Sequence, residues 1–215
     1  MLFIQKLSSD PAFYLMWIIM VAFSVCMHEA AHAWTARTQG DDTASHQGYL
    51  TLNPLKVMGL QSLICLVVLG VAWGAVPVNP RNLRRSYSGL LVSSSGPGMN
   101  LALAVLFAIL TATISVTGNL PALGPFRELF SIGIMANCFL FLFNMLPVPM
   151  FDGWELYSWC IPQLRRLSMD TLGFISIVVI AVLFLSPAGG LVFQWSAVLA
   201  RWLYRGILAL MSFHS

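Results

Sequence analysis

The sequence predicts an all-α membrane protein: a polytopic bundle of about four to six transmembrane segments with a re-entrant hairpin and a short β-like element. Three observations carry that prediction. Only 9% of the 215 residues are charged, 58% are hydrophobic and mean hydropathy is +0.80, whereas a soluble domain carries roughly 25% charged residues. Five stretches are nearly free of charge: Pro11 to Trp34, Val57 to Val78, Ser88 to Thr117, Leu129 to Met150 and Thr171 to Pro187. Each approaches the ~20 apolar residues a helix needs to cross hydrocarbon. The polar connections between them, near 35–56 and 151–170, are only loop-sized, so one intramembrane domain is expected over residues 1–215.

Charge and cysteine usage narrow the class further. The net charge of +3, from 11 Lys and Arg against 8 Asp and Glu, is scattered in short groups such as Arg81, Arg84 and Arg85. That pattern orients a chain in a lipid bilayer and argues against nucleic acid as a partner. The four cysteines have no Cys-x-x-Cys spacing, and buried free thiols are expected.

The first apolar stretch ends in His28-Glu29-Ala30-Ala31-His32. Ionisable groups inside a membrane are costly and mark function by default. Positions i and i+4 place both imidazoles on one helix face, about 6 Å apart along the axis, where they can grip one Zn²⁺. Glu29, one step round, is then the base that takes a proton from the water the metal polarises. In the second stretch, Gly59, Gln61, Gly70, Gly74 and Pro77 interrupt the apolar run, as expected of a hairpin that enters and leaves on one side. Ahead of it, Gly48 to Leu52 alternates in polarity; it reads either as a strand edge for an extended peptide or as a surface turn ending at Asn53-Pro54.

A catalytic zinc needs a third protein ligand and an open fourth position. His46, His214 and Asp152 are the candidates. Asp152 is the best placed, because Pro147 and Pro149 end the fourth stretch just ahead of it and free backbone groups that must line protein or a wet cavity. Taken alone, Asp152-Gly153 reads first as a turn, with Asp152 capping it.

Together the two motifs resemble the site-2 protease family of intramembrane zinc metalloproteases, in its short form without a PDZ domain. The resemblance covers most of the chain. His28 to His32 is similar to the family's first motif, and Asn144-x-x-Pro147 through Asp152-Gly153 to its second; Leu50 to Leu55, Pro77 to Arg81 and Ser95 to Asn100 are similar to lesser signatures. It implies that Asp152 is the third zinc ligand, that Asn144 helps hold the substrate or the oxyanion, and that residues 96 to 100 let a helix pack closely. Trp154, where a small residue is usual, and Val57 to Gln61, which lacks the customary acidic-proline turn, depart from the pattern.

Both ligand motifs sit near the ends of their stretches, so the two helices must run the same way. Two full crossings between them would put Asp152 on the wrong face; 57–78 is therefore expected to turn back. That arrangement places Arg37, Lys56, Arg81, Arg84, Arg85, Arg165 and Arg166 on one side and only Lys6 and Arg127 on the other. By the positive-inside rule the active-site end faces the cytoplasm across a cell membrane and the N-terminus lies outside. Leu191 to Phe213, with Arg201 and Arg205 among aromatic residues, either spans or lies in the interface.

The expected activity is hydrolysis of a transmembrane protein or peptide substrate, with Glu29 as base and one zinc per chain. The rival readings are a membrane metal transporter, which has no need of Glu29, and a non-catalytic scaffold. The expected metal content of detergent-solubilised protein is about one zinc, lost in both His28→Ala and Asp152→Ala; zinc that survives in Asp152→Ala would leave the third ligand unassigned.

Overall fold

The computed structural model describes residues 2–117 and 121–212, so His214 lies outside the described residues. Its longer helices are α1 (Pro11–Thr38), α2 (Gly59–Leu69), α3 (Ser88–Val116), α4 (Gly124–Asn144), α5 (Gly153–Cys160), α6 (Met169–Leu185) and α7 (Ala188–Ser212). Three are long and apolar enough to cross a membrane: α1, α3, and α4 with the turn from Pro121 that leads into it. The expected four to six are reached only with α6, 17 residues and about 25 Å long at 1.5 Å per residue, and α7. The protein is a helical membrane protein.

Helix starts follow local chemistry. The Asp10 side chain accepts the Phe13 N–H at 3.1 Å, and Pro11 occupies the first turn of α1, where its missing N–H costs nothing. Asn53 and Asn79 cap the short turns at Pro54 and Pro80 in the same way, and Ser168 caps α6.

Packing of α1, α3 and α4 gives the helix directions. Phe23 meets Phe107, and His28 and His32 lie against Gly96; α1 and α3 are antiparallel. Ser24 bonds Asn137 and Met20 meets Gly133; α1 and α4 are parallel. Lipid is as apolar as leucine, so helices in a bilayer are held by close approach rather than by expulsion of water. Ala104, Ala108, Ala112, Gly133 and Ala136 are accordingly buried at these contacts.

The stretch 57–78 turns back. Helix α2 has 11 residues, about 16 Å at 1.5 Å per residue, which is half of a ~30 Å hydrocarbon core. The chain then returns extended, and the Ala75 N–H reaches the Val57 carbonyl at 3.0 Å. Ser62 Oγ stitches the two arms by accepting the Trp73 N–H and donating to the Trp73 carbonyl. Tyr14 Oη and Trp17 Nε1, near the start of α1, donate to the Val67 and Gly70 carbonyls at the tip; they satisfy groups that lipid would leave orphaned.

Other expectations are corrected. No strand occurs among the described residues; Gly48 to Leu52 is irregular, because no neighbouring strand offers it a ladder of backbone bonds. All four cysteines are free, but Cys160 is exposed, since α5 leaves the apolar bundle. Helix α7 lies alongside the bundle rather than across its end: Phe193 meets Phe139 of α4, and Tyr204 Oη lies 3.1 Å from Ser115 Oγ of α3. Leu199, Leu203 and Ile207 face the core, while Trp195 and Trp202 face outward.

A buried carboxylate closes the hairpin's base. Asp41, fully buried, accepts from the Thr43 N–H and hydroxyl, the Asn79 N–H and the Asn82 amide. It thereby joins the exit of α1 to the exit of the hairpin. Burial alone would push its pKa up; bonds donated by Thr43, Asn79 and Asn82 outweigh that and hold it below the ordinary carboxylate value. A depressed folded-state pKa stabilises the fold above the unfolded value of about 3.9, and the gain is lost as pH falls through the folded value. Asp41→Asn is therefore expected to lower the unfolding temperature at pH 7, with the gap to the natural protein narrowing below about pH 4; an absent gap at pH 7 would remove Asp41 from this role.

Candidate metal centre and active site

The C-terminal half of α1 carries the helical pair His28 and His32, buried with Glu29 between them. Beyond α4, Pro147 and Pro149 cannot continue a helix, and the chain folds back. Gly153 packs on the backbone of Met145 and the Tyr157 hydroxyl bonds the Met145 carbonyl. That turn delivers Asp152 to the histidines: His28 Nε2 lies 3.0 Å from Asp152 Oδ2, His32 Nε2 3.3 Å from Asp152 Oδ1, and the two Nε2 atoms 3.0 Å from each other.

Their outer partners decide what these atoms are. His32 Nδ1 is 2.7 Å from the Val92 carbonyl, an acceptor only, so it carries the proton. His28 Nδ1 is 2.6 Å from Asn100 Oδ1 and donates in the same way. In the neutral imidazoles, with the one proton on Nδ1, both Nε2 atoms present lone pairs to one another and to a carboxylate. Asp152 Oδ2 is a buried oxygen with no hydrogen-bond partner. Three electron-rich atoms at this spacing repel unless a cation sits among them.

The donor set fits zinc. One ligand atom each from His28, His32 and Asp152 all fall within 4.8 Å of one another, and tetrahedral bonds of about 2.1 Å set donors roughly 3.4 Å apart. Two imidazoles and one carboxylate leave a fourth position open, as catalytic zinc requires. Space is reserved for the group by Gly96 of α3: a Cβ there would stand 2.3 Å from His32 Nε2 and 2.5 Å from His28 Nε2.

Glu29, His32 and Asp152 share a cleft of about 370 Å³, lined also by Gly74, Val92 and Glu155 among others. The returning arm of the hairpin passes so close to Glu29 that a Cβ on Gly74 would meet its Cγ at 2.5 Å. Glu155 also pairs with Arg165 at 3.2 Å. Asn144 is not brought into this cleft; its amide donates to the Leu140 carbonyl one turn back in α4. His46 lies in a separate short helical turn, Thr43–His46.

Sequence reasoning passed over Val92, Gly74, Asn100 and Asn137 as working parts. For Asn137 the signal was present, an amide in the middle of an apolar stretch. For Val92 there was none, since its carbonyl and not its side chain does the work.

Peptidase family M50 matches residues 16–186. YwhC of Bacillus subtilis is 38% identical over 83% of this chain and 83% of its own length. Rip2 of Mycolicibacterium smegmatis is 32% identical over 87% of this chain and 73% of its own length. MJ0611 of Methanocaldococcus jannaschii is 30% identical over 68% and 71%. The names of all three describe zinc metalloproteases. No solved structure gives a significant match.

Gly96→Ala is expected to lower zinc content well below one per chain, although residue 96 donates nothing to the metal; full zinc in a folded Gly96→Ala protein would show that the cradle is not needed. With two separated ligand motifs drawn into one buried centre, and with a family match spanning most of its length, the chain belongs to peptidase family M50 and is a multi-pass membrane zinc metalloprotease.

Proposed function

We propose that this single-domain chain, residues 1–215, is an intramembrane protease that hydrolyses peptide bonds of membrane-spanning or membrane-anchored proteins. In this reading His28, His32 and Asp152 hold one zinc and Glu29 is the general base. The observation that carries it is the burial of Glu29 in the same cleft as His32 and Asp152, where a carboxylate without chemistry to do is costly.

Bound zinc supplies a Lewis acid that polarises water and the scissile carbonyl. Glu29 accepts the proton of the attacking water and then delivers it to the leaving amine. The Gly74 arm limits where the Glu29 carboxylate can swing, and the two histidines stay fixed by their outer hydrogen bonds to Asn100 and the Val92 carbonyl. Asn144, beside the proline-broken turn, is assigned the substrate or the oxyanion by the family resemblance.

A helical substrate shields its carbonyls with its own hydrogen bonds, so it must unwind before attack. A second groove of about 660 Å³ suits an apolar segment; its walls include Met27, Trp34, Leu50, Leu52 and Met99. Leu50 to Leu52 gives that groove an irregular edge against which an extended peptide can lie. Seven basic residues at the active-site end, Arg37, Lys56, Arg81, Arg84, Arg85, Arg165 and Arg166, against Lys6, Arg127 and, through the Tyr204–Ser115 contact, Arg201 and Arg205 toward the other, support a cytoplasmic active site in a cell membrane and an external N-terminus. A metal carrier would have no use for Glu29.

Glu29→Gln is expected to keep its zinc and to cleave a reconstituted transmembrane peptide about 10²–10⁴-fold more slowly. Normal cleavage by that variant would overturn the mechanism.

A further inference from the structure

Three buried polar side chains lie behind the metal centre, at the place where α1, α3 and α4 meet. Ser24, Asn100 and Asn137 are each 0% exposed. Asn137 Nδ2 donates to the Gly133 carbonyl at 2.9 Å and to Ser24 Oγ at 2.8 Å. Asn100 Nδ2 donates to Asn137 Oδ1 at 3.0 Å and approaches the Ser24 carbonyl at 3.5 Å. Asn100 Oδ1 then faces His28 Nδ1 at 2.6 Å.

The direction of this chain follows from its two backbone ends. A carbonyl can only accept, so the group of Asn137 that faces Gly133 is the NH₂. Its oxygen must then turn to Asn100, and Asn100 must answer with its own NH₂. The Ser24 carbonyl demands the same of Asn100 independently. Only the oxygen of Asn100 remains for His28, which must therefore hold its proton on Nδ1 and present a bare Nε2 to the metal. An amide facing the other way would set oxygen against carbonyl oxygen, a buried mismatch that a bilayer does not relieve.

We infer that Asn137 is a positioning residue for the zinc centre: through Asn100 it fixes the tautomer and ring orientation of His28, with Ser24 holding its second N–H. The inference rests on the proposed ligand set. Outer partners of metal-bound histidines typically contribute 10–100-fold in metal affinity, and here the contribution is passed through two amides rather than one. His32 has a one-step equivalent in the Val92 carbonyl, so α3 orients both rings, one by its backbone and one by a side chain that α4 steers.

The test measures zinc affinity of the full-length, detergent-solubilised protein by chelator competition, with the unfolding temperature recorded for each variant. Four variants suffice: Asn137→Leu, Asn100→Leu, Asn100→Asp and His28→Ala. The expected result is roughly a 10-fold or greater loss of affinity in Asn137→Leu and Asn100→Leu. Asn100→Asp keeps an acceptor for His28 and is expected to bind zinc more tightly than Asn100→Leu. A purely structural role predicts that affinity loss tracks unfolding temperature and that Asp and Leu at position 100 behave alike. The electronic spectrum of the cobalt-substituted protein gives a second readout, expected to shift in Asn137→Leu because the His28 ring is no longer held. Unchanged affinity and spectrum in Asn137→Leu, with zinc still lost in His28→Ala, would overturn this inference alone. Zinc retained in His28→Ala would instead overturn the ligand set on which it rests.

Discussion

Two imidazole nitrogens and a carboxylate oxygen face one another at about 3 Å inside a protein that is itself inside a bilayer. In low dielectric the repulsion among their lone pairs is strong. In the proposed function, a zinc ion held by the three would relieve that repulsion. Much of the fold reads as the means of bringing those three atoms to one depth. Helices α1 and α4 must be parallel, α3 must run between them in the opposite sense, and the hairpin must return to the side from which it came. The prolines after Asn144 must bend the chain back within eight residues, from Met145 to Asp152.

The same setting explains how the polar parts are handled. Away from the cluster of His28, Glu29, His32 and Asp152, intramembrane polar groups have partners assigned by type: the Trp17 N–H goes to a carbonyl at the hairpin tip, the Ser62 hydroxyl to both sides of Trp73, and the Asn137 amide to Gly133, Ser24 and Asn100. Small residues let the three crossing helices approach, and their closeness makes those short bonds reachable. Where the backbone is irregular, as between Gly70 and Asn79 or between Met145 and Asp152, it is backed by protein or lines the cleft.

Much of this was legible from residue types. Three ionisable groups within five residues of an apolar helix left metal binding as the economical explanation, and glycines with a proline in 57–78 marked a segment that could not cross. Asp152 was a different matter. An Asp-Gly pair after two prolines is also an ordinary turn, and nothing local ties it to His28, 124 positions earlier. Its place in the cluster follows from the helix directions, a property of the whole chain. The final helix was ambiguous for a similar reason: Arg201 and Arg205 on one face suit an interfacial helix as well as one that packs its other face on α3 and α4, and only contacts such as Tyr204 with Ser115 separate the two. The alternation at 48–52 misled because a strand is defined by its neighbour, which periodicity does not reveal.

The returning hairpin also bears on how such a chain can be made. Under the proposed orientation, the connection from Gln39 to Leu55 and the one from Val78 to Tyr87 emerge on the side of synthesis, together with the Asp41 clamp that joins them. Insertion then moves none of these charges through hydrocarbon. Between α1 and α4, the connection that must be carried across is the short turn that joins α3 to α4. A protein with buried polar groups at the meeting of three crossing helices can thus be threaded into the bilayer while translocating little polar chain between those helices.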